Sequence, residues 1–265
     1  MGDELKALAR FVRDLRLETV PDEVVRAARF CVLDTLGSAL GATSSQEIQR
    51  ITRELQNWSG AGENHRLASA WGQGARTSLN NAVLVNGMLS HELELDDVHT
   101  ASKSHVGAVV VPAAWTVADA MGMSGKDLLE AVIAGYEVMG RVGRAMDVAS
   151  NRKRGWHTTG VIGTFGAAAA AAKLWRLTEE ETVHAFGIAG TQSSGLWAFL
   201  AEGATCKKLH PARAALNGVT ACLLAKSGMT GAEHILDAAD GGLYQAVSDR
   251  FDMARLVEEI GRAHV

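Results

Sequence analysis

Three short clusters of ionisable residues carry the chemistry open to this chain. Residues 91–107, HELELDDVHTASKSHVG, hold three histidines, two glutamates and two aspartates. An apolar run precedes them from Asn81 to Leu89, and another follows from Ala108 to Trp115. Ionisable groups set between buried segments are costly to desolvate unless they are paired or used. The second cluster is Gly155-Trp156-His157-Thr158-Thr159-Gly160, preceded by Arg154, and the third is Cys206-Lys207-Lys208-Leu209-His210-Pro211. Each is expected where a loop meets a helix, and backbone N–H groups at helix starts favour anions. Lys207, Lys208 and Arg154 add positive charge. Together they predict a pocket for a polycarboxylate, with carboxylate and imidazole for proton transfer.

Blander readings apply to each piece. Asp96 and Asp97 also suit a helix cap, His157 a satisfied core histidine, and Lys207-Lys208 an ordinary surface pair. His184, His210 and His234 are read as structural. His99 and His105 with Asp96 or Asp97 offer metal ligands, but their spacing matches no tight motif such as HExxH, and no metal is expected. Gly160, Gly163 and Gly166 stand three apart without a preceding strand, which favours close helix packing over a nucleotide loop.

The elements that must position these clusters read as helices. Leu5, Leu8, Phe11, Val12 and Leu15 recur at helical spacing. Pro21-Asp22-Glu23 opens a second helix, running from Val24 to Leu40. Ser44 with Glu47, Ser124 with Asp127, Thr178 with Glu181 and Thr230 with Glu233 have capping-box spacing, and Ser78 is a further cap. A short extended piece is expected around Arg66–Trp71, and Pro112 is placed in a helix's first turn. No sustained period-two run is found, so the class is all-α. The chain has 265 residues, 47% apolar, with a net charge of -4, which argues against nucleic acid as a partner. Uncharged apolar stretches fall short of the ~20 residues of a membrane helix, so no membrane partner is expected. Three cysteines without a CxxC pair suggest a reducing cytoplasm, with Cys206 read as a buried structural thiol.

With these pieces in order, the chain resembles the MmgE/PrpD family, whose members include 2-methylcitrate dehydratase and cis-aconitate decarboxylase. The likeness rests on PDEVVRAARFCVLDTLGSALGA, NGMLSHELELDD, PAAWTVADAMG, GYEVMGRVGRA, GWHTTGVIGTFGAAAAAAKLW and KKLHPARAALNGVTACLLAKSGMTG. It implies a helical domain over residues 1–245, then a linker into an α+β lid domain, and a homodimer without cofactor. Residues 246–265 would begin that linker with the lid domain missing, and 260–265 read as non-native. By motif, Asp97 (or Asp96), His105, His157 and Lys207 are the expected catalytic residues. Asp96, His99, Thr100, Lys208 and Arg154 are expected to bind substrate. Val106 and Ala212 depart from the family's usual Pro and Gly. The implied activity is a lyase acting on a tricarboxylate, with dehydration of 2-methylcitrate to 2-methylaconitate foremost. Lys207 would stabilise enolate-like charge, His105 or Asp97 would act as base, and His157 as acid. Decarboxylation of cis-aconitate or epimerisation of a dicarboxylate would use the same groups. A non-catalytic helical dimerisation module and a metal-dependent hydrolase are the competing classes. Without the lid, little activity is expected of this chain.

Overall fold

The computed structural model describes residues 3–57 and 67–261. The helices are α1 (Asp3–Asp14), α2 (Asp22–Gly41), α3 (Gln46–Asn57), α4 (Leu79–His91), α5 (Gly107–Met121), α6 (Gly125–Ala145) and α7 (Val148–Lys153). They continue with α8 (Thr158–Trp175), α9 (Glu179–Gly190), α10 (Phe199–Glu202), α11 (Leu209–Lys226) and α12 (Leu243–Val247). A two-stranded antiparallel hairpin, β1 (Leu67–Ala70) and β2 (Ala75–Ser78), pairs Leu67 with Ser78 and Ala70 with Ala75. It is the only sheet among the described residues, and the class is all-α. The extended piece expected around Arg66–Trp71 is β1, although Arg66 itself lies outside the described residues.

The centre is α8. It has no polar face, and Thr158 through Ala172 are buried without a break. A helix that is apolar all round must be enclosed, and α6, α11, α5 and α9 enclose it. Small residues let the backbones close up. A side chain on Gly166 would sit 2.7 Å from Met139 Cβ, and one on Gly163 would sit 2.9 Å from Ala214 Cβ. The glycines three apart therefore serve helix packing. No described helix is long and apolar enough to cross a membrane.

Local signals fix several helix starts. Ser124 with Asp127 and Thr178 with Glu181 form complete capping boxes, and Ser78 Oγ accepts the Asn81 N–H. Three expectations shift. Ser45, rather than Ser44, accepts a backbone N–H of α3, from Ile48 at 3.4 Å. Pro112 lies inside α5 rather than in its first turn, because Gly107 already starts the helix. The segment after Thr230 is a run of turns, not a helix, since it crosses α9 at backbone contact: a side chain on Gly187 would meet the Ala232 nitrogen at 2.5 Å. Cys206 is exposed, whereas Cys222 is buried and its thiol donates to the Ala168 carbonyl at 3.1 Å.

Two buried polar groups are paired in ways that tie elements together, as a dry interior favours. Asn86 accepts the Trp71 N–H at 2.8 Å and donates to Ser69 O and Thr116 Oγ1, both at 3.0 Å, which ties the hairpin to α4 and α5. Arg141, fully buried in α6, pairs with Glu137 at 2.6 Å and donates to the carbonyls of Leu256, Glu258 and Glu259. The stretch from residue 246 to 261, expected to begin a linker, is thus packed against α6. Residues 262–265, most of the stretch read as non-native, lie outside the described residues.

The α8–α11 contact is tightest at Gly218. A methyl group there would lie 2.5 Å from both Ala167 Cβ and Thr164 O, and 2.6 Å from Ala168 N. Two of these atoms are backbone and cannot swing away. Gly218→Ala gains helix propensity of ~1 kcal/mol, yet overpacking of about 1–3 kcal/mol should outweigh it. Thermal unfolding is expected to show a lowered Tm; an unchanged or raised Tm would mean that the helices are not in contact here.

Candidate active site

Four helix ends meet at one end of α8. The last residue of α4 is His91, and its ring is completely buried. The loop of residues 92–106 then turns back sharply, with Glu94 and Lys103 in the left-handed region at φ 52° and 48°. An antiparallel bridge pairs His99 with Ser104. The turn places the buried Asp96 carboxylate between two imidazoles. His91 Nδ1–H donates to both Asp96 oxygens, at 2.9 and 3.0 Å, and His105 Nδ1 lies 3.1 Å from Oδ2. The His105 backbone N–H donates to Thr159 Oγ1 at 3.1 Å, which fastens the loop to α8.

His157 precedes the first residue of α8, and its N–H donates to Gly195 O at 2.9 Å. Its ring stacks 6.3 Å from His91 and lies 5.1 Å from Trp197 and 5.9 Å from Phe199. Its Nδ1 is 3.0 Å from Nδ1 of His210, the second residue of α11. Lys207 and Lys208 lie just before α11. Lys207 pairs with Glu94; the buried Lys208 pairs with Glu92, and with Glu47 at 2.9 Å.

The environments drive His105 and His157 apart. Burial alone would raise Asp96, but hydrogen bonds and charge from His105 and His91 outweigh it and hold the carboxyl at about 2. Burial likewise depresses His105, yet the Asp96 carboxylate wins and raises it. His157 has no carboxylate beside it. Burial, then the charges of His210, His91, Lys207 and His105, push it down to about 2. His210 is lowered by burial, His91 and Lys207. The result is an ionised Asp96, a His105 that favours the charged form, and a neutral His157. Environments that split two titratable groups in this way define a proton donor and a proton acceptor.

The residues named from sequence separate accordingly. Asp96, His105, His157 and Lys207 come together. The Asp97 carboxylate does not join them: it accepts the Gly107 N–H at 2.8 Å and the Tyr136 hydroxyl at 2.9 Å, and so holds the start of α5. His99 Nδ1 lies 2.7 Å from Ser102 Oγ, with its ring beside Gly140, away from the other imidazoles. Thr100 is exposed in the turn. Arg154 pairs with Asp249 at 2.8 Å and donates to the carbonyls of Gln245 and Ala246. The nearby guanidinium is Arg152, 4.0 Å above the Trp197 ring that packs on His157. Sequence reasoning missed His91 and His210 as members of the cluster. Both sit within motifs already singled out, HELELDD and KKLHP, and an imidazole at each motif's helix end was the available signal. Among the described residues, the grouping whose atoms could hold a cation is His91, Asp96 and His105, within 4.8 Å of one another. It differs from the His99-containing set suggested by spacing.

The MmgE/PrpD N-terminal domain description matches residues 6–256. The chain belongs to the MmgE/PrpD family. It is 32% identical over 248 residues to a cis-aconitate decarboxylase-like protein of Aspergillus oryzae, covering 91% of this chain and 50% of that one. It is 31% identical over 243 residues to human cis-aconitate decarboxylase, covering 89% of this chain and 49% of the relative. The mouse cis-aconitate decarboxylase is 30% identical over a stretch of the same length. The chain spans about half the length of these curated relatives.

The split also sets acid stability. Asp96, held at about 2, contributes stability that is complete above the ordinary carboxylate pKa and is lost as pH falls from there toward about 2. His157 acts in the same direction: below 6.5 the unfolded chain takes up a proton that the folded chain refuses down to about 2. His105, being raised, stabilises below its unfolded value and loses that contribution as pH rises through its folded one. We expect Tm to fall from about pH 7 to about pH 5, with a shallower fall in His157→Gln. Parallel curves for the two proteins would refute a neutral, buried His157.

Proposed function

We propose that this protein is a cofactor-free lyase that decarboxylates cis-aconitate or a closely related tricarboxylate. One observation carries the reading: a charge-favouring His105 and a neutral His157 stand with Lys207 where the N-terminal ends of α5, α8 and α11 converge. Those ends present backbone N–H groups and partial positive charge, which suits a polyanion. Lys207 is close enough for its charge to act on His105, His157 and His210. The relatives that bear the name cis-aconitate decarboxylase favour decarboxylation over the dehydration expected from sequence.

The chemistry follows from the donor–acceptor pair. The bond to the departing carboxylate of the CH2–COO⁻ arm breaks, and its electron pair forms a new C=C. The old C=C takes a proton at its CH carbon, leaving CO2 and a methylene-bearing dicarboxylate. Protonated His105 supplies that proton and Asp96 stabilises its charge; this makes His105 the acid, the reverse of the sequence-based assignment. Lys207 balances the charge that builds on the retained carboxylates. His157 stays neutral and takes up no proton in this step. Dehydration of 2-methylcitrate is the second reading, because a neutral imidazole can remove a proton next to a carboxylate. For the chain on its own we propose weak turnover, since water reaches the half-buried His105 and screens its charge. A homodimer in the cytoplasm is the setting that the family implies, and an exposed stripe of Phe30, Leu33 and Leu40 along α2 offers a face for it.

Proton NMR of purified protein with cis-aconitate, and separately with 2-methylcitrate, tests the reading. The olefinic CH signal of cis-aconitate should give way to a pair of vinylidene protons. His105→Ala and Lys207→Ala should each lower kcat/KM by ~10²–10⁴. Undiminished rates in both variants would remove the site from the reaction, and conversion of 2-methylcitrate alone would favour the second reading.

A further inference from the structure

His210 has no part in the proton-transfer reading above, yet it is built in closely. Its ring packs where two glycines leave room: a side chain on Gly195 would lie 3.3 Å from its Nδ1, and one on Gly160 3.3 Å from its Cβ. Phe199 lies 5.5 Å and His157 5.2 Å away, centroid to centroid. The 3.0 Å separation of the two Nδ1 atoms is a hydrogen bond. A bond between two nitrogens holds one proton, so one ring donates and the other accepts.

The two arrangements differ in what they leave on His157. If His210 donates, His157 carries its own proton on Nε2. Charging His157 would then bring two N–H groups face to face. If His157 donates, its Nε2 bears a lone pair, and a proton gained there leaves the bond intact. The groups around His157 decide between them. His91 faces it from α4, His105 from the loop before α5, Lys207 from the turn before α11 and His210 from the start of α11. Trp197 and Phe199 are uncharged, and Arg152 lies beyond Trp197. The cations in that set, Lys207 and protonated His105, favour a lone pair on the remaining nitrogen over an N–H.

We propose that His210 is a positioning residue: its Nδ1 accepts the Nδ1 proton of His157, which fixes the His157 tautomer and leaves a lone pair on Nε2. The catalytic value of this arrangement rests on the proton-transfer reading; the tautomer does not. A carboxylate in the same place would also orient His157, but it would stabilise the charged form, as Asp96 does for His105. A neutral acceptor orients the ring and keeps it neutral.

Two-bond 15N–1H correlation spectra of histidine-labelled protein test this without any turnover, with His157 assigned through His157→Gln. His157 should show a protonated Nδ1 and a bare Nε2 near neutral pH. His210→Ala should convert it to the Nε2–H form that prevails in free histidine. His210→Asn, whose amide oxygen can occupy the place of Nδ1, should restore Nδ1–H. An Nε2–H tautomer in the unsubstituted protein, or no change in tautomer in His210→Ala, would overturn the proposal. In turnover, His210→Ala should lower kcat by up to about 10²-fold with KM little changed, and His210→Asn should recover part of the loss. Should the protein act on neither tricarboxylate yet show the Nδ1–H tautomer, the lyase reading fails while the hydrogen-bond assignment is upheld.

Discussion

A helix without a polar face has to be surrounded, and that requirement on α8 organises the molecule. Its buried alanines and glycines allow α6 and α11 to approach at backbone distance. Close approach at that spacing fixes where the neighbouring helices begin and end. The starts of α8, α11 and α5, and the end of α4, therefore fall at one end of the bundle. The histidines that matter are all at those ends: His157 just before α8, His210 at the start of α11, His105 just before α5, and His91 at the close of α4. The core and the site are thus two consequences of one packing problem.

Inside the site, a single carboxylate sets the electrical asymmetry. Asp96 is out of contact with water and ionised, because two imidazoles share its oxygens. Only one of those imidazoles, His105, is partly open to solvent. His157 lies within stacking distance of His91 but has no carboxylate, and it stays neutral. Two rings of identical chemistry are thereby pushed in opposite directions, His105 upward by its carboxylate and His157 downward by burial and the positive charges around it.

The fold was legible where its causes are local. The capping boxes at Ser124 and Thr178 are complete within four residues, and the Ala-rich run of α8 declares burial through composition. It was not legible where distant contacts decide. The segment after Thr230 has a cap-like pattern but is pressed flat against α9 near Gly187. The choice between Asp96 and Asp97 shows the same limit in the site. The two are neighbours in sequence and face different ways, and what claims Asp97 is the Tyr136 hydroxyl, on a different helix. Arg154 was one of three expected cations, with Lys207 and Lys208, but Asp249 holds it. Arg152, two residues earlier, rests on Trp197 instead. His210 was read as structural because nothing in KKLHP reveals that its ring meets His157.

Glu94 adds one more consequence. It adopts a left-handed backbone, unusual for a residue with a side chain, and its carboxylate sits on Lys207. The ammonium group is therefore not vacant. An anion arriving there competes with an internal one, so its gain at this position is less than that of a fresh ion pair. Under the proposed reading, that exchange favours multiply charged guests: a single carboxylate merely swaps places, whereas a guest with several can replace Glu94 and still engage the helix ends.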